Sequence, residues 1–145
     1  MHRESPHAFS SSHSFWRWLS LSLVLVTIDQ LSKLKVAFML PLHDRIEVTP
    51  FFNLVHTLNL GAAFSFLANA GGWQRHFFTL LGLLVIFFLI FLLWRGVRSR
   101  LETLAYVFIV AGALGNVVDR LRIGAVIDFL DFHWYGMHWP AFNSA

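Results

Sequence analysis

FFTLLGLLVIFFLIFLLW, Phe77–Trp94, is eighteen residues without a charge. A helix that crosses the hydrocarbon core of a bilayer needs about 20 predominantly apolar residues. Trp73 and Trp94 stand at its two ends, where amphipathic rings settle at the membrane–water boundary. The stretch predicts a membrane span over Trp73–Trp94. Directly after it comes RGVRSR, Arg95–Arg100, a tight loop with three Arg. Leu101–Val118 is apolar again and reads as another span, broken by Glu102, Gly112, Gly115 and Asn116. Small residues there let helices approach closely.

Upstream, Phe15–Leu40 reads as the first span. Its apolar core, Trp18–Ile28, is followed by Asp29, Gln30, Ser32, Lys33 and Lys35, and Pro41 stops it. A cleaved signal peptide fits poorly, because no small-x-small site follows the core. Met1–Ser14 is a polar tail. Between the first two spans, Pro41–Gly72 contains a period-two stretch. Phe52, Leu54, His56, Leu58 and Leu60 alternate with Asn53, Val55, Thr57 and Asn59, which predicts a strand ending at Gly61. A small sheet at the membrane surface is expected, with Phe51, Phe52, Phe64 and Phe66 in the interface.

The whole composition agrees with this. Of 145 residues, 57% are hydrophobic and 13% charged, whereas soluble domains are nearer half apolar and a quarter charged. The fold class expected is an all-α membrane protein of three transmembrane helices with a small extracytoplasmic β element. The formal charge of +3 comes mostly from Arg near the ends of the runs. No basic stripe with interleaved aromatics exists, so a nucleic-acid partner is not expected. The absence of Cys excludes a disulfide framework, a thiol nucleophile and Cys-ligated zinc. The Arg loop belongs in the cytoplasm by the positive-inside rule. The N-terminus is then cytoplasmic as well, and 41–72 and 119–145 face outward.

The polar residues late in the chain are the candidates for chemistry. Asn116, Asp119 and Arg120 are spaced i, i+3 and i+4, on one helical face. They could be a solvated helix cap, but polar groups at membrane depth are costly and usually functional. Asp128 lies between Ile127 and Phe129, so partial desolvation should raise its pKa and let it share a proton with a second carboxylate. Such a pair activates water, one acid accepting its proton while the other polarises the scissile carbonyl. It needs two acids about 3 Å apart. Asp131 is the near neighbour in sequence, but two acids three apart on one element rarely converge. Asp29 and Lys33, at i and i+4, read as an internal ion pair, as orienting support for the site, or as both. His133 and His138 with Asp131 match no zinc spacing, and no metal or other cofactor is expected. Ser65 has no base partner and no nucleophile elbow.

The blocks DQLSK (Asp29–Lys33), NLGAAFSF (Asn59–Phe66), GNVVDR (Gly115–Arg120), VIDFLDF (Val126–Phe132) and PAFN (Pro140–Asn143) resemble the lipoprotein signal peptidase family, signal peptidase II. They run in the family's order from about Asp29 to Ala145. The resemblance implies an aspartyl endopeptidase of the bacterial inner membrane with its active site at the outer face. Its partners would be membrane lipids and the signal peptide of a prolipoprotein whose cysteine carries diacylglycerol, and a monomer is expected. It assigns Asp128 as a catalytic aspartate and Asn116 and Arg120 as pocket residues that hold substrate. Asp119 is assigned as support, and Asp29 and Lys33 to the first-helix block. Asn59 and Gly61 fall in the sheet block, and Asn143 in the block that ends the resemblance. The family's second catalytic aspartate and fourth helix would follow Ala145. The expectation is therefore a chain that binds substrate without hydrolysing it. The rival readings are a non-catalytic membrane fragment with internal ion pairs and a pseudoenzyme that binds signal peptides.

Overall fold

The computed structural model describes residues 12–61, 71–97 and 99–145. The tail before Ser12, together with Phe64, Ser65, Phe66 and Arg98, lies outside the described residues. In chain order the elements are α1 (Ser12–Met39), β1 (Arg45–Thr49), β2 (Phe52–Asn59), α2 (Trp73–Arg95), α3 (Arg100–Ile123), β3 (Val126–Trp134) and β4 (Met137–His138).

Among the described residues, α2 and α3 are long and apolar enough to cross a membrane. α2 presents Leu84, Phe87, Phe88 and Trp94 on its exposed surface, an apolar face that water would penalise. The expected first span, α1, is a helix of 28 residues whose C-terminal half carries charges. α3 begins at Ser99, which is extended and accepts a hydrogen bond through Oγ from the Glu102 amide at 3.1 Å. Ser99 and Glu102 have the spacing of a capping box. α3 ends at Gly124, which takes a left-handed φ of 80° and donates its N–H to Arg120 O. That conformation suits glycine. The helix thus runs five residues past the expected end at Val118, and Asp119 and Arg120 are helical.

α3 packs against both α1 and α2. Its contact with α2 is built on Ile86, Leu89, Val110 and Val117. A Cβ on Gly82 would stand 2.8 Å from Val117 Cγ2, so the missing side chain sets how closely the two helices approach. Its contact with α1 includes buried Ser22, whose hydroxyl donates to Val107 O at 3.2 Å.

The sheet has four antiparallel strands in the order β1-β2-β3-β4. β1 and β2 come from the expected segment. β3 and β4 come from 119–145, where no strand was expected. VIDFLDFHW is rich in β-branched and aromatic residues, but its first four residues are all buried. A strand covered on both faces shows no period of two. The sheet rests on the end of α1 through Val36, Leu40, Leu54, Phe129 and Leu130.

One irregularity matters for the site. Leu54 pairs with Leu130 and Thr57 with Asp128, so β2 advances three residues where β3 advances two. An extra residue of this kind shifts the strand's side-chain alternation by one. Asn53 and Asn59, on one face by simple alternation, are thereby delivered to opposite faces.

Candidate active site

Two clusters of buried polar groups lie close together. The first is centred on Lys33, whose side chain is 1% exposed. Its Nζ lies 2.7 Å from Asp29 Oδ2 and 2.9 Å from Asp119 Oδ2, and it donates to Asn116 Oδ1 at 3.1 Å. Asp29 and Lys33 are one turn apart on α1, and Asn116 and Asp119 are one turn apart on α3. The cluster therefore pins the two helices together. Gly115 makes the approach possible, because a Cβ there would collide with Asp29 Oδ2. Gln30 closes the cluster from below in the chain order of α1. Its Nε2 donates to Asp119 Oδ1 at 2.9 Å and to Gly115 O at 3.1 Å, and its Oε1 accepts from Arg122. Asp119 also accepts from the Ile127 amide at 3.4 Å, which ties α3 to the start of β3.

The second cluster is centred on Asp128, which is 4% exposed. Asn59 Nδ2 donates to its Oδ2 at 3.0 Å and Asn143 Nδ2 to its Oδ1 at 2.6 Å. Both partners are neutral amides, and Asp128 is in no ion pair among the described residues. Burial pushes its carboxyl above the ordinary aspartate range, and the two amides with the charges of Lys33 and Arg120 only partly oppose this. A carboxyl so placed holds a proton more readily than a solvated one. Each clamping amide is itself fixed. Asn59 Oδ1 accepts from Gly61 N at 3.0 Å, and Asn143 Oδ1 from Ala145 N at 2.8 Å. Ser144 Oγ donates to Asp29 Oδ1 at 2.8 Å, and Asn143 Nδ2 also reaches Asn116 Oδ1 at 3.4 Å. The two clusters are thus joined through the 143–145 backbone, which lies against α3 where a Cβ on Gly112 would meet it.

Arg120 forms one wall. It donates to Gly61 O at 3.3 Å, and its guanidinium lies 5.4 Å from the centre of the Phe78 ring. Its buried Nε has no hydrogen-bond partner among the described residues.

All the sequence candidates meet here: Asp29, Lys33, Asn59, Gly61, Asn116, Asp119, Arg120, Asp128 and Asn143. Gln30 and Ser144 were not singled out, although both are polar residues within or beside the quoted blocks. Asp131 does not join them. It lies an odd number of residues from Asp128 on a regular strand, so the two point to opposite faces. There it accepts from Asn53 Nδ2 at 2.8 Å and lies 2.9 Å from His138 Nδ1. Burial alone would raise its carboxyl, but His138 and Asn53 outweigh this and hold it below the ordinary range. The His133 and His138 rings stack at 4.9 Å. Among the described residues no group of three or more His, Asp or Glu could hold a metal ion.

The fold and site define a membrane-associated helical protein with a buried carboxyl held between amides. The family model for signal peptidase (SPase) II matches residues 21–145, and the chain belongs to that family of aspartic endopeptidases. The lipoprotein signal peptidase of Aeromonas hydrophila is 53% identical over 131 residues, 89% of this chain and 78% of that protein. The lipoprotein signal peptidase of Janthinobacterium sp. is 50% identical over 137 residues, 94% and 83% of the two chains. Two solved structures described as bacterial membrane enzymes superpose with TM-scores of 0.77 and 0.75, at 29% and 26% identity. The first covers 88% of this chain and 77% of its own, the second 97% and 87%.

Proposed function

We propose that this protein is a membrane aspartyl endopeptidase that removes signal peptides from diacylglyceryl-modified prolipoproteins, with Asp128 as one of its two catalytic carboxylates. The observation that carries the reading is the neutral clamp on a buried acid. Asn59 and Asn143 fix both oxygens of Asp128 without supplying a charge that would lock it in the ionised form. In the reaction one carboxylate, ionised, takes a proton from water while the other, protonated, hydrogen-bonds the scissile carbonyl. Water adds directly, and no covalent intermediate forms. The raised pKa suits Asp128 to carry the shared proton. Arg120 and Asn116 would hold the substrate backbone, and Arg120 Nε, without a partner among the described residues, supplies a donor for it.

A second acid is required. Among the described residues none is bonded to Asp128, since Asp29 and Asp119 are committed to Lys33 and Asp131 faces away. In this reading α1, α2 and α3 all cross the inner membrane. The N-terminus and the 95–100 loop are cytoplasmic, the sheet and site lie at the outer face, and the protein acts as a monomer among membrane lipids.

The test is cleavage of a diacylglyceryl-modified prolipoprotein in membranes. The protein is expected to cut the lipid-modified precursor, and Asp128→Asn is expected to abolish this. Cleavage that survives Asp128→Asn sinks the catalytic assignment. Precursor binding without cleavage favours the pseudoenzyme reading instead.

A further inference from the structure

A cavity of about 570 Å³ lies between the start of α1 and the start of α3, at the far end of both helices from Lys33 and Asp119. Trp18, Leu21 and Val97 give it apolar walls, and Arg17 and Arg100 place two guanidinium groups on it. Among the described residues no carboxylate lines it. Among the described residues neither arginine is in an ion pair. The nearest acid along α3, Glu102, instead accepts from the Tyr106 hydroxyl at 2.6 Å. The end of α3 is not what attracts a ligand, because Ser99 already caps it. What remains is a roomy, mostly apolar cavity with two planar cations that no carboxylate among the described residues pairs.

We propose that this cavity seats one phospholipid with an anionic headgroup, its phosphate between Arg17 and Arg100 and the top of an acyl chain along Trp18 and Leu21. Guanidinium forks match phosphate oxygens in pairs, and basic pockets between membrane helices take anionic headgroups. The apolar walls argue for a lipid over free phosphate, since phosphate alone would leave Trp18, Leu21 and Val97 facing water. The site would hold α1 against α3 from the end that the Lys33 cluster does not reach. It rests on the reading that both helices cross the bilayer.

The whole chain is reconstituted in bilayer discs of phosphatidylcholine with phosphatidylglycerol, released into detergent and weighed by native mass spectrometry. One retained phosphatidylglycerol per chain is expected, in preference to phosphatidylcholine. Arg17→Gln and Arg100→Gln should each lower that retention about fivefold, and millimolar inorganic phosphate should not displace the lipid. Equal retention of the two lipids, unchanged retention in both variants, or displacement by phosphate each overturns the site. A photoreactive phosphatidylglycerol on the unaltered chain guards against a variant that fails to fold, because crosslinks confined to residues away from 14–21 and 97–103 also overturn it. Carbonate washing separates the two levels. A chain that leaves the membrane removes the membrane reading and the lipid site together, whereas one that stays but shows no lipid preference removes the lipid site alone.

Discussion

Lys33 and Asp128 sit at the centres of two adjoining polar clusters, both nearly sealed from solvent, and the clusters are built on opposite principles. Around Lys33, two carboxylates and an amide oxygen surround one cation. Around Asp128, two amide donors surround one carboxyl, and among the described residues no cation pairs with it. A buried charge with good partners is structural, because removing one partner strands the others. A buried acid held only by neutral groups keeps its proton equilibrium open. The comparison separates a buried carboxyl held only by neutral groups from buried carboxylates committed to a cation, a distinction that their residue type cannot make.

The strongest way to break this contrast is to remove the cation. Lys33→Met leaves Asp29 and Asp119 facing each other in a dry interface. It is expected to cost about 3–5 kcal/mol of stability, read as loss of folded protein in detergent or a large fall in thermal midpoint. A variant that folds and melts like the parent would show that the cluster is better solvated than its geometry indicates.

Asp128→Asn is the counterpart. Its folded pKa is raised, so between the unfolded and folded values the native state binds more protons, and stability falls as pH rises through that window. Above the window the neutral isostere removes this penalty. That gain offsets the loss of one of the two hydrogen bonds accepted from Asn59 and Asn143, about 1–3 kcal/mol, so the variant should melt close to the parent at neutral pH, while cleavage is lost. A clear destabilisation at neutral pH would place Asp128 in the structural class instead.

Asn143→Ala sharpens the same point with a smaller effect. It removes one of the two amides that favour the ionised form, at a cost of about 1–3 kcal/mol, and should push the Asp128 carboxyl still higher. The acid limb of the pH–activity profile should move upward, and an unmoved limb would argue that Asn143 only packs.

The smallest effect is expected at Asp131, on the other face of β3. Its carboxyl is held below the ordinary range, so its contribution to stability is present above an unfolded value of about 3.9 and is lost as pH falls through the lowered folded value. Asp131→Asn should destabilise the protein modestly at neutral pH, with the gap from the parent closing in acid. Thermal melts at several pH values read this directly, and a gap independent of pH would contradict the His138 pairing.

Much of this was legible before any coordinates. The uncharged run at Phe77–Trp94 required an apolar environment, and the helices α2 and α3 lie where the apolar runs begin. All nine candidate site residues converge. The extent of α3 was underestimated, because Asp119 and Arg120 looked like the polar end of a span, whereas the helix continues until Gly124 supplies the left-handed turn. β3 escaped notice because burial on both faces erases alternation. Gln30 and Ser144 gave no sign of which partners they would find.

Composition, hydrophobic runs and helix caps depend on residues near one another in the chain, so the sequence by itself determined the apolar character, the strand β2 and the identity of the polar blocks. Register and charge partnership depend on groups far apart in the chain that only folding brings together. The extra residue in β2 decided that Asn59 meets Asp128 while Asn53 meets Asp131. The close approach at Gly115 decided that Lys33 is shared between two helices. Those two long-range events, invisible to any local pattern, are what separate the acid free to exchange its proton from the acids that hold the fold.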